Sequence, residues 1–293
     1  FRRVLFRSQF LAPHGLFFAP ETSTAGWAMI GGMVGNNSCG SNSIAWGTTR
    51  DHLLSARGFL ADGSEATFGP LGEADLRERC AADDSLETRV YRGLVALLSD
   101  PAVRRDVREG FPKETVTRRN TGYALDALMD AAPLDPESRR PFNVCRLLAG
   151  SEGTLFLGVE FELGLIPLPP PGGLLVAHCA TVDEALRGAV TTMHAGRAAA
   201  EREGGTLSGC ELIDNKVLEC TKDNAEQAKN RSFVVGDPGA VLVVEVRHAD
   251  RGALERALDG VERALRGAGV GYAWPRLFGA DAGKVWELRQ IGR

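Results

Sequence analysis

The segment PLPPPGG, residues 167–173, most limits how this chain can fold, because proline and glycine end both helices and strands. Before it, short apolar runs alternate with Gly, Asn, Ser and Thr. After it, strand-like and helix-like stretches alternate. A chain of 293 residues has room for two domains with separate cores. We therefore predict an α+β protein with domains at 9–169 and 170–289.

Local patterns predict elements on both sides of this linker. The sequence LLSARGFLADGSEATFG, residues 53–69, predicts a hairpin that turns at Asp62-Gly63, and 73–109 is helical in pattern. Beyond the linker, Thr181 and Glu184 have the spacing of a capping box. The apolar spacing in 251–269 predicts an amphipathic helix. These units predict a sandwich with helices on one face of a sheet.

Composition excludes several classes of protein. The net charge of −4 and pI of about 5.8 give no basic surface for nucleic acid, and no apolar run approaches the length of a membrane span. The six cysteines include no CxxC pair, so we predict mostly reduced and buried thiols and no metal site. A cytoplasmic protein, with peripheral membrane association left open, fits this composition.

The stretch IGGMVGNNSCG, residues 30–40, is too rich in glycine to predict a helix and lacks the spacing of GxGxxG or of a P-loop. One interpretation is a turn that only packs closely. The other is a loop that brings bare backbone to a ligand. A second cluster, AGSEGTL at 149–155, favours the second interpretation, because two such loops can form two walls of one site.

Several segments, in order, resemble one family. They are HGLFFAPETST (14–24), AMIGGMVGNNSCGSNSIAWGTTRDHLLSARGFLADGS (28–64), RRNTGYALDAL (118–128), LLAGSEGTLFLGVEFELGLIP (147–167), and the short CELID and VWELR. The chain resembles the FAD-linked oxidases of the vanillyl-alcohol-oxidase type, in the branch of D-lactate, glycolate and D-2-hydroxyglutarate dehydrogenases. The resemblance implies part of a PCMH-type FAD-binding domain followed by part of a ferredoxin-like α+β cap domain.

The resemblance implies a non-covalent FAD site. The residues it assigns to the cofactor are Pro20, Gly31, Gly32, Asn36, Asn37, Ser38, Gly40, Gly47, Thr48, Glu152, Gly153 and Val159. The sequence departs from the family at Phe156, where glycine is more usual. The dispersed histidines indicate no covalent flavin attachment.

The resemblance also implies a substrate site. Arg289 in VWELR matches the arginine that binds the substrate carboxylate, a task that suits its planar fork, although the local pattern alone favours an exposed helix arginine. Further, weaker candidates are Arg119, Asn120 and Tyr123, and Tyr123 is equally compatible with the core.

The implied activity is FAD-dependent oxidation of a D-2-hydroxy acid to the 2-oxo acid. Electrons would pass to an acceptor other than oxygen: a quinone, a cytochrome or an electron-transfer protein. Two alternatives stay open, a non-catalytic flavin-binding module and an FAD-dependent alcohol or sugar oxidase. No catalytic residue or metal ligand is assigned, and an iron–sulfur cluster or divalent metal is expected only beyond residue 293.

Both ends of the chain depart from the neighbouring patterns. RVLFRS (3–8) and QIGR (290–293) match no element, so we predict that 1–8 and 290–293 are not native. On this view the chain is a piece truncated at both ends, and the family's first phosphate-binding loop lies upstream of residue 9.

Overall fold

A computed structural model describes residues 4–113, 116, 118–119, 122–222 and 224–289. The chain forms two compact units. The first contains Phe1–Gly40 and Gly47–Pro167, and the second contains Ser41–Trp46 and Leu168–Arg293. The division at Pro167 lies in the proline-rich segment, whereas the assignment of Ser41–Trp46 to the second unit has no counterpart in the sequence pattern.

The described residues form the following helices and strands. The helices are α1 Val4–Leu11, α2 Ile30–Gly35, α3 Ser43–Trp46, α4 Thr49–His52, α5 Glu73–Ala81, α6 Leu86–Ser99, α7 Pro101–Gly110, α8 Leu125–Met129, α9 Cys145–Leu148, α10 Val182–Thr191, α11 Arg197–Arg202, α12 Asn215–Cys220, α13 Ala225–Ala228, α14 Arg251–Gly267 and α15 Ala280–Arg289. The strands are β1 Leu16–Phe17, β2 Leu53–Phe59, β3 Glu65–Phe68, β4 Leu157–Leu163, β5 Ile166–Pro167, β6 Gly172–Cys179, β7 Thr206–Asp214, β8 Ala240–Arg247 and β9 Arg276–Phe278.

The first unit is built on a three-stranded antiparallel sheet with the order β3-β2-β4. The predicted hairpin is present, and its turn is closed by a hydrogen bond from the Leu60 N–H to the Ser64 carbonyl at 2.9 Å. β1 pairs separately with β5. The core against the sheet contains Phe68, Tyr91 and Phe142.

The helical region of the first unit is divided where the sequence predicts a break. α6 begins at a cap in which the Ser85 hydroxyl accepts from the Thr88 N–H. It ends before Asp100, whose carboxylate accepts from the Ala102 N–H and starts α7 with Pro101 at its first position. Amphipathic spacing directs Leu98 into the core, so this helix pair covers one side of the unit.

The second unit contains a four-stranded antiparallel sheet with the order β7-β8-β6-β9. One face packs against α14, which buries the predicted apolar stripe of Leu254, Leu258, Val261 and Leu265. α10 begins at Thr181, whose hydroxyl accepts from the Glu184 N–H as predicted, whereas the Glu184 carboxylate accepts from the N–H of Ala180 instead of Thr181. An α+β fold is therefore confirmed for this chain.

Helices cover both faces of this sheet, so the prediction of helices on one face was wrong. α12 and α15 contribute Leu218, Val285 and Leu288 to a cluster on the opposite face, against alternate residues of β6 and β8. The reason is visible in AVLVVEVR, residues 240–247, where an almost continuous apolar run makes β8 buried on both faces.

The cysteines are all free, and the prediction that most are buried was wrong. Cys145 and Cys179 are buried, Cys220 is exposed, and the other three are half-buried. Within the described part of the chain, no helix combines the length and apolarity required to cross a bilayer.

Candidate functional site

The first glycine-rich stretch is partly helical, contrary to the expectation from its glycine content. α2 covers Ile30–Gly35 and buries Met33 and Val34, so packing of these two side chains overrides the weak helix propensity of glycine. The same turn leaves Gly31 and Gly32 exposed on its outer side. A six-residue helix thus presents bare backbone at its surface.

The second glycine-rich loop lies directly beside the first. The Gly150 N–H donates to the Val34 carbonyl at 3.0 Å, and the Glu152 N–H donates to the Gly35 carbonyl at 2.8 Å. Gly150 has a φ of 93°, and a side chain there would meet the Arg50 guanidinium at 2.9 Å, so only glycine fits this position. The structure therefore joins the two loops that the sequence proposes as walls of one site.

Asn37 is the buried centre of the first loop. It has a positive φ of 50°, and its Oδ1 accepts from the Arg50 N–H at 2.7 Å. Its Nδ2 has no hydrogen-bond partner among the described residues although the side chain is fully buried. An unpaired buried donor is costly, and an oxygen of a bound molecule would satisfy it.

The segment after the first loop returns to it through Thr49. The Thr49 N–H and hydroxyl both donate to the Ser38 carbonyl, at 3.0 and 2.7 Å. Thr48 caps α4, because its N–H and hydroxyl donate to the Asp51 carboxylate at 2.8 and 3.0 Å. This cap places Gly47 and Thr48, both predicted cofactor residues, next to the first loop.

Gly40 permits a close backbone approach at the other end of the loop. A side chain at Gly40 would collide with the Glu21 carbonyl, so the chain from Pro20 to Glu21 can pass only against a bare Cα. Pro20 and Gly40 are both buried there. They form the base of the loop, and their assignment to the cofactor site stays a prediction.

An apolar cavity of about 620 Å³ lies on the outer side of α2. It combines three predicted cofactor residues, Gly31, Gly32 and Val159, with apolar side chains of α1 and β4. A side chain at Gly32 would meet no atom within 4 Å, and the same holds for Gly153. Open backbone at Gly31 and Gly32 lies at this cavity and fits a flat ligand, whereas Gly153 and Asn37 are not among its lining residues.

The predicted substrate residues are in different surroundings. Arg289, at the end of α15, donates from Nη2 to Glu211 Oε2 of β7 at 2.8 Å, and the two side chains are 26% and 14% exposed. Tyr123 is exposed, not part of the core, and its hydroxyl lies 2.8 Å from the Thr154 hydroxyl of the second loop. Asn120 lies outside the described residues.

Phe156 replaces the usual family glycine without entering the exposed glycine surface. Its ring is buried and packs edge-on against Phe68, with ring centroids 5.6 Å apart. Gly58 of β2 makes room for it, because a side chain at Gly58 would meet the Phe156 ring at 2.7 Å. The departure is thus accommodated in the core by a small residue on the neighbouring strand.

Arg50 is the important residue that sequence reasoning missed. It is 7% exposed, and its guanidinium donates to the carbonyls of Arg146, Arg119 and Ala149 at 2.9, 3.2 and 2.8 Å. Burial lowers its pKa against the raising influence of Asp126 and Asp51. One signal for it is present in the sequence. Arg50 lies between Thr48 and Asp51, whose spacing is that of a helix cap, ten residues after Gly40.

The first glycine-rich loop lies in a stretch of the chain that is similar to a known FAD-binding family. Residues 8–69, which include the first glycine-rich loop, match the family model described as an FAD binding domain. The predicted resemblance and the predicted cofactor, FAD, are confirmed by this match together with the relatives described next.

Two relatives show what the chain is similar to. The D-2-hydroxyglutarate dehydrogenase of Pantoea ananatis is 29% identical over 274 residues, which are 90% of this chain and 25% of the relative. The D-2-hydroxyglutarate dehydrogenase of Pseudomonas putida is 36% identical over 183 residues, 62% of this chain and 17% of the relative. The chain therefore spans a quarter or less of the length of these two relatives.

A solved structure of alkyldihydroxyacetonephosphate synthase matches 99% of this chain and 41% of its own, with a TM-score of 0.54 and 12% identity. At this identity the match concerns the fold alone, and it confirms the PCMH-type architecture predicted from sequence.

Proposed function

We propose that the protein acts as an FAD-dependent dehydrogenase that oxidises a D-2-hydroxy acid to the 2-oxo acid and passes electrons to an acceptor other than oxygen. The observation that carries the proposal is the pair of backbone hydrogen bonds that joins the two glycine-rich loops. The two joined loops expose backbone at Gly31, Gly32 and Gly153. Similarity to two D-2-hydroxyglutarate dehydrogenases supports the same activity.

The first unit would hold the cofactor through backbone and one amide. Gly31, Gly32 and Gly153 leave space for a planar ring, and Asn37 Nδ2 offers a buried donor to one of its oxygens. When bound, FAD supplies the two-electron acceptor that oxidation of an alcohol carbon requires. Val159, exposed on β4, adds an apolar contact beside Gly31 and Gly32.

Arg289 would bind the substrate carboxylate. Its Nη2 is engaged by Glu211, and a guanidinium carries five N–H donors, so other donors of Arg289 are available to a substrate oxygen. The Glu211 carboxylate also limits the rotation of the arginine. A cationic clamp of this kind favours an acid over the neutral substrates of alcohol or sugar oxidases.

Among the acids, we infer D-2-hydroxyglutarate before D-lactate or glycolate. The inference rests on the relatives, which are D-2-hydroxyglutarate dehydrogenases, and one of them shares 36% identity over 183 residues. D-2-hydroxyglutarate carries a second carboxylate, which requires a second cationic group in the site, and we assign no residue to that role.

The test is an assay of the protein expressed from the complete gene. We expect a yellow protein with the absorbance of bound flavin, and reduction of a dye acceptor that depends on D-2-hydroxyglutarate. Arg289→Ala should lower kcat/KM by about a hundredfold, chiefly through a higher KM, because a charge-assisted bidentate contact is lost. Arg263→Ala, an exposed arginine on α14, removes the same charge as a control.

Each other outcome of the assay would lead to a different conclusion. A colourless protein would remove the cofactor assignment. A yellow protein that turns over no hydroxy acid would indicate a flavin-binding module, and turnover of a neutral alcohol or sugar would indicate an oxidase of the alternative kind. Full activity of Arg289→Ala would remove Arg289 from the substrate site.

A further inference from the structure

A second cavity in the first unit is lined almost entirely by charged side chains. It has a volume of about 300 Å³ and shares no lining residue with the apolar cavity beside α2. Its walls are formed by Thr48, Arg50, Asp51, Arg119, Ala127, Asp130, Arg140 and Arg146. Nothing in the proposed dehydrogenase activity requires four arginines at this place.

Positive charge exceeds negative charge in this arginine cavity. Asp126 pairs with Arg119, and Asp51 Oδ1 lies 3.2 Å from Arg146 Nη1. Arg140, at the exposed rim, forms no ion pair with a carboxylate in the described part of the chain. Among the described residues, four guanidinium groups and two carboxylates, Asp51 and Asp130, therefore line the cavity, in a chain whose net charge is −4. Local excess positive charge of this kind attracts anions.

Arg50 at the back of the cavity increases this preference. Its hydrogen bonds described above all go to neutral carbonyls, at 2.8 to 3.2 Å. A buried guanidinium without a carboxylate in direct contact is costly, and an anion in the adjoining cavity would compensate its charge. The buried charge of Arg50 thus favours a bound anion independently of the arginines at the rim.

We propose that the arginine cavity binds a small dianion, either inorganic phosphate or a short dicarboxylate. Arg140 and Arg146 bind its oxygens at the open side, and Arg50 provides the charge behind. At roughly 30 Å³ for each water molecule, 300 Å³ holds about ten, which is enough for either anion with part of its hydration. Guanidinium groups favour both ligands because each presents two coplanar oxygens to the fork.

Isothermal titration calorimetry on the 293-residue protein tests the proposal, with sodium phosphate and sodium succinate as probes. Acetate and chloride at matched ionic strength are the reference anions. We expect one site for a dianion and an affinity for acetate and chloride at least about tenfold lower. Preference for phosphate or for succinate then identifies which of the two ligands the site takes.

A neighbouring pair of arginines provides the matched variants. Arg140→Ala should weaken dianion binding by about tenfold or more, since it removes a charge from the cavity wall. Arg139→Ala removes the same charge from an exposed residue that does not line the cavity, and should change the affinity by less than about twofold. Both side chains are exposed, so neither variant threatens folding.

Three results would overturn the proposal. One is equal weakening in both variants, which would indicate general attraction to surface charge. Another is equal affinity for chloride and phosphate at matched ionic strength. The third is displacement of phosphate by added FAD, which would assign the anion to the cofactor's own phosphates.

Discussion

The backbone N–H of Gly150 donates to the carbonyl of Val34 at 3.0 Å and thereby connects two glycine-rich loops that are distant in the sequence. The Glu152 N–H, two residues further along the second loop, donates to the carbonyl of Gly35, the residue after Val34, and forms a second such bond. Because both bonds use backbone atoms, the connection leaves side chains uninvolved. It holds the two loops against each other in the first unit, and the proposed cofactor site depends on this arrangement.

The exposed backbone of α2 can be blocked without disturbing the fold. Gly32→Leu adds a side chain where no atom lies within 4 Å, so the free energy of unfolding should stay equal or rise by up to about 1 kcal/mol. The same side chain would occupy the space of a flat ligand, and FAD affinity should fall by about tenfold or more. FAD fluorescence titration measures the loss. Gly110→Leu, at another open helical position, should leave FAD affinity unchanged.

Asn37 combines a left-handed backbone with a buried hydrogen bond. Asn37→Ala removes the acceptor of the Arg50 N–H and places alanine at φ 50°, so the free energy of unfolding should fall by about 2–3 kcal/mol. Asn37→Gly loses the same hydrogen bond but tolerates the backbone, and should be about 1 kcal/mol more stable than Asn37→Ala. Urea denaturation compares them, and equal stability of the two variants would contradict the backbone part of this account.

Replacement of the buried arginine should destabilise the first unit even when the charge is kept. Lysine cannot reach the three carbonyls that Arg50 binds, so Arg50→Lys should lower the free energy of unfolding by about 2–4 kcal/mol. Arg57→Lys is the control, because Arg57 lies in an exposed pair with Glu65 and Glu160 and should cost less than about 1 kcal/mol. Similar losses in both variants would show that the buried contacts add little.

Alkaline pH should destabilise the first unit through Cys145. Burial raises the pKa of this thiol to about 12 from an ordinary value of 9.0. Below pH 9 both the folded and unfolded chains keep the proton, whereas between pH 9 and 12 only the folded chain does. Cys145 should therefore lower the free energy of unfolding by about 1.4 kcal/mol for each pH unit between 9 and 12.

Cys145→Ala removes this titration, so urea denaturation of the variant should show a shallower decline with pH by that amount. Cys220→Ala, which alters an exposed thiol, should keep the slope of the unmodified protein. A Cys145→Ala slope that matches the unmodified protein would assign the alkaline instability to other groups.

The partner of Arg289 should affect substrate binding, provided the proposed function holds. Glu211→Gln keeps the size of the side chain but removes the charge that orients the guanidinium at 2.8 Å, so KM for the hydroxy acid should rise by about three- to tenfold with little change in kcat. Glu219→Gln breaks an exposed pair with Lys222 and serves as the control. An unchanged KM in Glu211→Gln would show that Arg289 needs no orientation or does not contact substrate.

Features set by neighbouring residues were predictable. The hairpin at Asp62-Gly63, the cap at Thr181 and the amphipathic α14 follow from turn chemistry and periodicity, which act over a few residues. The helix over Ile30–Gly35 was not predictable in this way. Its glycines oppose a helix, and only burial of Met33 and Val34 in the folded unit favours one.

The sequence by itself determined the α+β class and the presence of two glycine-rich segments, at 30–40 and 149–155. Only the tertiary structure decided that these loops bond to each other, that Arg50 is buried among carbonyls, and that Glu211 holds Arg289. The physical reason is range. Propensity and capping depend on residues within one or two turns, whereas burial and ion pairing depend on which distant segments pack together, and one sequence pattern is compatible with many such pairings.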